Sequence, residues 1–183
     1  MIDVFVRTMA WQNPLRTGLA TATEARWKMD PLACVRPLAN FPIRLGRAHA
    51  ERSAESDIYI FTDDDVLPVG RNWIARGLEA MLANPEYAIC STLSLIEGEN
   101  LAKPPENAGS IYRMHAVGAP MWIRKGILSD LPEMTLNSEC GVIDDYVKAK
   151  GFKEGLFNCH VTGMRHLHLG HGFSSTPGLD FGA

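Results

Sequence analysis

Runs of consecutive apolar residues alternate along the chain with stretches in which apolar residues recur every three or four positions. That alternation predicts strands interleaved with helices, an α/β fold. Residues 2–8 (IDVFVRT) predict a first strand. Asn13 then offers an N-cap and Pro14 a first helical position, after which Leu15, Leu19 and Ala22 keep helical spacing. Residues 34–38 predict a short second strand, interrupted by Pro37 and followed by Pro42. Residues 44–55 predict a helix with almost no large apolar stripe, suited to a surface or to covering a ligand. DIYIFT (57–62) is apolar on both faces, as expected of a central parallel strand. Over residues 72–83, Trp73, Ile74, Gly77, Leu78, Met81 and Leu82 form one apolar helical face, and Asn84-Pro85 ends it.

The second half is less regular. A strand is expected over 87–95, then a polar loop across 97–113 containing Pro104-Pro105. A strand over 120–123, a short helix from Lys125, a helix over 146–150 stopped by Gly151 and a strand over 156–162 follow. Residues 174–183 read as a flexible tail, and no internal repeat is visible.

The 183 residues (20.2 kDa) suffice for one domain with a substantial core. Eighteen basic side chains against 21 acidic ones give a net charge of −3, which excludes a generic polybasic nucleic-acid or membrane-surface binder. The first residues do not read as a signal peptide, and no apolar run is long enough to span a membrane. Cys34, Cys90, Cys140 and Cys159 form no C-x-x-C pair, so reduced thiols in a cytoplasmic setting are expected.

Three groups of residues could carry chemistry. Asp63-Asp64-Asp65 stand at the carboxyl end of the 57–62 strand, where open α/β sheets gather their ligands. Three adjacent carboxylates repel one another, and a bound Mg²⁺ or Mn²⁺ would relieve that. A solvated acidic turn, with one Asp capping the next helix, is the alternative. In HLHLGH (166–171), His166 and His168 share a face if the segment is extended, and His171 could join them after Gly170. They are either metal ligands or incidental histidines of a surface strand. Asp144 and Asp145 precede the short helix, as a general base or as caps. Arg7, Arg44 and Arg47 could meet phosphate, and Trp122 in GAPMWIRK could stack on a sugar or pack in the core.

Taken in order, GRAHAERSAESDIYIFTDDDVLP (46–68), GAPMWIRKGIL (118–128) and IDDYVKAKGFKEG (143–155) resemble the family 2-like glycosyltransferases of the GT-A fold. The resemblance covers residues 2–171. It implies a Rossmann-like three-layer sandwich around a central, mostly parallel (mixed) sheet, in a single catalytic domain over 1–173. Within it, 1–96 would bind a nucleotide-diphosphate sugar, with UDP favoured, and 97–173 would serve the acceptor and catalysis. By resemblance, Thr8 and Arg47 lie near the nucleoside, Asp63 and Asp65 match the two acids of the DXD motif, and Asp64 touches sugar or ribose. The metal, Mn²⁺ or Mg²⁺, is held by Asp63, Asp65 and a late histidine, His166 or His168. Asp144 or Asp145 is the base of an inverting transfer, with Glu139 replacing them if the helix is longer. Gly118 and Trp122 face the acceptor, a carbohydrate or other hydroxyl. Two other readings stand beside this one: a metal-dependent hydrolase using the histidines, and an inactive binding domain of the same fold.

Overall fold

In the computed structural model, which describes residues 1–8, 14–39, 43–95, 111–114, 119–129 and 156–169, the first apolar run forms β1 (Ile2–Thr8). Its period-2 alternation sends Val4 and Val6 to one face and Phe5 to the other, and each face has its own core. The chain continues through α1 (Pro14–Lys28), β2 (Ala33–Ala39), α2 (Ile43–Ser53), β3 (Ile58–Asp63), β4 (Val66–Val69) and α3 (Trp73–Ala83). Then come β5 (Tyr87–Ser94), β6 (Ile111–Met114), β7 (Met121–Arg124) and β8 (Phe157–His168).

The eight strands of the described residues join one sheet in the order β2-β1-β3-β7-β5-β8-β4, with β6 also pairing β8. Strands β2, β1, β3, β5 and β8 run one way, while β7, β4 and β6 run against them. The long β8 gives its first half to β6 and its second half to β4. On one face, Phe5, Tyr59, Phe61 and Ile123 pack beneath Ala50 of α2. On the other, Val4, Val6, Ile60 and Trp122 meet Trp27 of α1 and Trp73, Ile74 and Met81 of α3. The result is a three-layer, mixed-sheet α/β domain, as expected.

Several local expectations need correction. Strand β3 is parallel to β1 but antiparallel to β7, so it is a central strand with a mixed environment. Residues 66–69, for which no element was expected, form β4; its Pro68 is tolerated because β4 lies at the sheet edge. Residues 111–113, assigned to a long loop, form β6 together with Met114. The helix expected from Lys125 is instead a turn over 125–129, where Gly126 takes φ 96° and its N–H donates to Glu51 Oε1. β8 continues to His168 rather than stopping at 162. The expected helix over 146–150 and the tail lie outside the described residues.

The weak apolar stripe of α2 has a physical explanation. Besides Ala50, its buried face carries Arg47 and Glu51. The Arg47 guanidinium sits 5.6 Å from the Phe61 ring centroid, and Glu51 Oε2 accepts the Tyr59 hydroxyl at 2.8 Å.

Candidate functional site

Thr8, Asp63, Ser94 and His168 end β1, β3, β5 and β8, which all point the same way, so their side chains share the carboxyl edge of the sheet. This is where open α/β sheets bind ligands. Strand β4 begins at that edge and runs back against β8, with Val66 opposite His168. The pairing brings the end of the acidic triplet to the histidine strand. Leu169 N–H donates to the Asp65 carbonyl at 2.8 Å, and His168 Nε2 lies 3.5 Å from Asp65 Oδ1.

The three aspartates have three different surroundings. Asp63 accepts a 2.7 Å hydrogen bond from Arg7 Nε, in an ion pair that is only partly exposed. Asp64 is fully buried; its Oδ2 accepts the Thr8 hydroxyl at 3.0 Å and its carbonyl accepts the Thr23 hydroxyl at 2.7 Å. Asp65 is buried beside His168. Burial opposes the Arg7 charge, but Asp63, then Asp64 and Asp65, outweigh it and hold the guanidinium above its ordinary pKa. An internal cation therefore relieves part of the repulsion that the sequence alone assigned to a metal.

The histidines also separate. His166 is buried, with Nδ1 2.6 Å from the Thr92 hydroxyl. Burial first, then neighbouring His168 and His160, lowers its pKa to about 4, so it is neutral at pH 7. His160, one of the residues the sequence reading passed over, is lowered to about 4 by burial. His168 is the more open of the two proposed ligands, with 29% of its side chain exposed.

Among the described residues, no three His, Cys, Asp or Glu side chains gather closely enough to hold a metal ion. Of the four expected ligands, Asp63 is held by Arg7 and His166 by Thr92. Asp65 and His168 approach each other. Their 3.5 Å separation fits two neighbouring positions around an ion with bonds of about 2.1 Å, and a carboxylate with an imidazole suits Mn²⁺.

Other expected site residues lie elsewhere. Trp122, expected on the acceptor side, is fully buried, its ring 6.3 Å from that of Trp27 and close beneath Gly77. Arg47 is buried against Phe61 in the layer under the sheet. Of Arg44 only the backbone, in α2, is described. Gly118, Glu139, Asp144, Asp145 and His171 fall outside the described residues. Sequence reasoning missed Thr23 and Thr92, and it gave Arg7 no partner. Alternation in β1 signals only that Arg7 and Thr8 face opposite sides; the partners lie 41 to 74 residues away in sequence.

No family model matches the chain, and no curated protein matches it. Solved structures do. Protein A197 from STIV aligns over 92% of this chain and 85% of its own, at 15% identity and TM-score 0.59. CMP:2-keto-3-deoxy-manno-octonic acid synthetase, solved with CTP, aligns over 88% of each chain at 11% identity and TM-score 0.56. GalNAc-T7, solved with UDP, GalNAc and Mn²⁺, aligns over 92% of this chain and 43% of its own, at 12% identity and TM-score 0.56. The likeness is one of fold. Among the described residues, no helix is long and apolar enough to cross a membrane.

Proposed function

We propose that the chain is a nucleotide-sugar enzyme, a glycosyltransferase that moves a sugar from a nucleoside-diphosphate donor, UDP favoured, to an acceptor hydroxyl. The observation that carries this reading is Asp65 beside His168 at the carboxyl edge of a sheet shared with an enzyme solved with UDP and Mn²⁺. Asp65 and His168 would hold Mn²⁺ or Mg²⁺. A divalent cation bound there supplies Lewis-acid stabilisation of the negative charge growing on the departing diphosphate. Asp64 has a different role from the expected sugar contact: through Thr8 and Thr23 it fixes the turn that presents Asp65. Residues 1–96 thus contribute the acidic triplet, and 97–173 the histidines. Asp144 or Asp145 as the base of an inverting transfer completes the proposal.

Nucleotidyl transfer is a second reading, favoured by the equal TM-score to the synthetase solved with CTP. Burial of His166 against Thr92 weighs against a hydrolase built on open histidines. The test titrates UDP-, GDP- and dTDP-sugars and CTP calorimetrically with Mn²⁺, Mg²⁺ or chelator, then identifies products by phosphorus NMR. Metal-dependent binding of a nucleotide sugar with release of nucleoside diphosphate supports the transferase. Pyrophosphate release from a nucleoside triphosphate supports nucleotidyl transfer. No nucleotide binding under any condition refutes both.

A further inference from the structure

Arg7 is fixed at one nitrogen and open at two. Its Nε–H donates to Asp63 Oδ1 at 2.7 Å, and neither Nη1 nor Nη2 has a hydrogen bond to another described residue. Neither is a buried atom lacking a partner, so both reach solvent through the 13% of the side chain that remains exposed. Arg7 is the penultimate residue of β1, at the same edge as Asp65 and His168. This is the reverse of a purely structural arginine, whose forked donors are normally spent inside the protein.

We propose that Arg7 binds the anionic part of the nucleotide, its Nη groups taking a phosphate oxygen while Asp63 holds Nε. The proposal rests on the nucleotide-sugar reading above. A planar guanidinium matches an oxyanion with two parallel N–H donors, and charge-assisted bonds of this kind are the strong ones. The Asp63 bond fixes the plane of the fork before the ligand arrives, which reduces the ordering cost of binding. Asp63 is then a positioning residue rather than a metal ligand. The edge carries three carboxylates, and a phosphate can settle there only against cations; among the described residues, Arg7 provides one.

The test compares wild type with Arg7→Gln and Arg7→Lys, using UDP and pyrophosphate by calorimetry with Mn²⁺ and uridine by saturation-transfer NMR. The expected result is that Arg7→Gln weakens UDP and pyrophosphate about 10- to 100-fold and leaves uridine binding unchanged. Arg7→Lys keeps the charge without the fork and recovers part of the loss. Equal losses for uridine and UDP would make Arg7 a structural counter-ion and overturn the proposal, as would undiminished UDP binding. If Arg7→Gln does not fold, the lysine variant decides: it must weaken UDP severalfold while sparing uridine. Failure of wild type to bind UDP or pyrophosphate would remove the nucleotide reading and this inference together. UDP binding by wild type that the variants share would remove this inference alone.

Discussion

Replacing Gly77 by alanine tests whether Trp122 is a core residue or a ligand platform. A Cβ at Gly77 would stand 2.4 Å from Trp122 Cε2 and Nε1 and 2.8 Å from Cδ1. Unstrained carbon contacts lie at about 3.5–4.0 Å, so a gap of roughly 1 Å must open. The indole has nowhere to retreat: it is fully buried and tilted against Trp27, which meets Trp73 edge-on with centroids 4.4 Å apart. Overpacking of this severity costs about 3 kcal/mol, the upper end of the usual range. Alanine in place of glycine inside a helix returns about 1 kcal/mol. The net expectation is a loss of about 2 kcal/mol. Gly18, in α1, has nothing within 4 Å of its would-be Cβ, so Gly18→Ala keeps the helix gain with no clash. Urea denaturation and scanning calorimetry should therefore move the two variants in opposite directions. For a chain of this size, Tm should fall by about 4–8 °C for Gly77→Ala and rise by about 2–4 °C for Gly18→Ala. If Gly77→Ala is as stable as wild type, α3 does not press on Trp122, and the ring becomes available to an acceptor.

Thr23→Val should lower stability by about 1–3 kcal/mol in urea melts, because it strips the Asp64 carbonyl of its buried hydroxyl donor. Its metal-dependent nucleotide binding should weaken as well, since the same bond shapes the turn before Asp65; unchanged stability and binding would show that the turn holds itself. Burial sets His160 at about 4 against 6.5 in the unfolded chain, so the unfolded state protonates first as pH falls. Its stability contribution is whole above about pH 6.5 and is lost toward pH 4 at up to about 1.4 kcal/mol per unit. His160→Gln should flatten the pH–stability curve across that window, and an unchanged slope would refute the assignment. Asp65→Ala should abolish the Mn²⁺ dependence of UDP binding without unfolding the chain; retained metal-dependent affinity would place the ion elsewhere.

How much of this was legible in the sequence follows from the range of each interaction. Strands β1, β3 and β5 and helix α3 declare themselves because their burial is continuous or strictly periodic, and local pattern is enough to find them. Strands β4 and β6 have four residues each, and Pro68 reads locally as a breaker; only the edge position beside β8 makes that stretch a strand. The tip of β8 was readable only as an alternative, since nothing local joins an extended 166–168 segment to the strand expected over 156–162 until β4 pairs with it. The location of the acidic triplet was readable, because a buried strand ending in carboxylates points to the carboxyl edge. The division of labour among Asp63, Asp64 and Asp65 was not. It depends on Arg7, Thr8, Thr23 and His168, which arrive from three other elements of the sheet and helix layers. Trp122 stayed open between core and sugar because an aromatic in a short strand has the same local pattern in either role.

The most direct test of the proposed site is a crystal structure with UDP and Mn²⁺, with data collected at the manganese edge. The proposed site predicts an anomalous peak within bonding distance of Asp65 and His168, with the diphosphate completing its coordination at the carboxyl edge. A nucleotide bound elsewhere, or manganese absent from Asp65 and His168 when UDP is present, would contradict it.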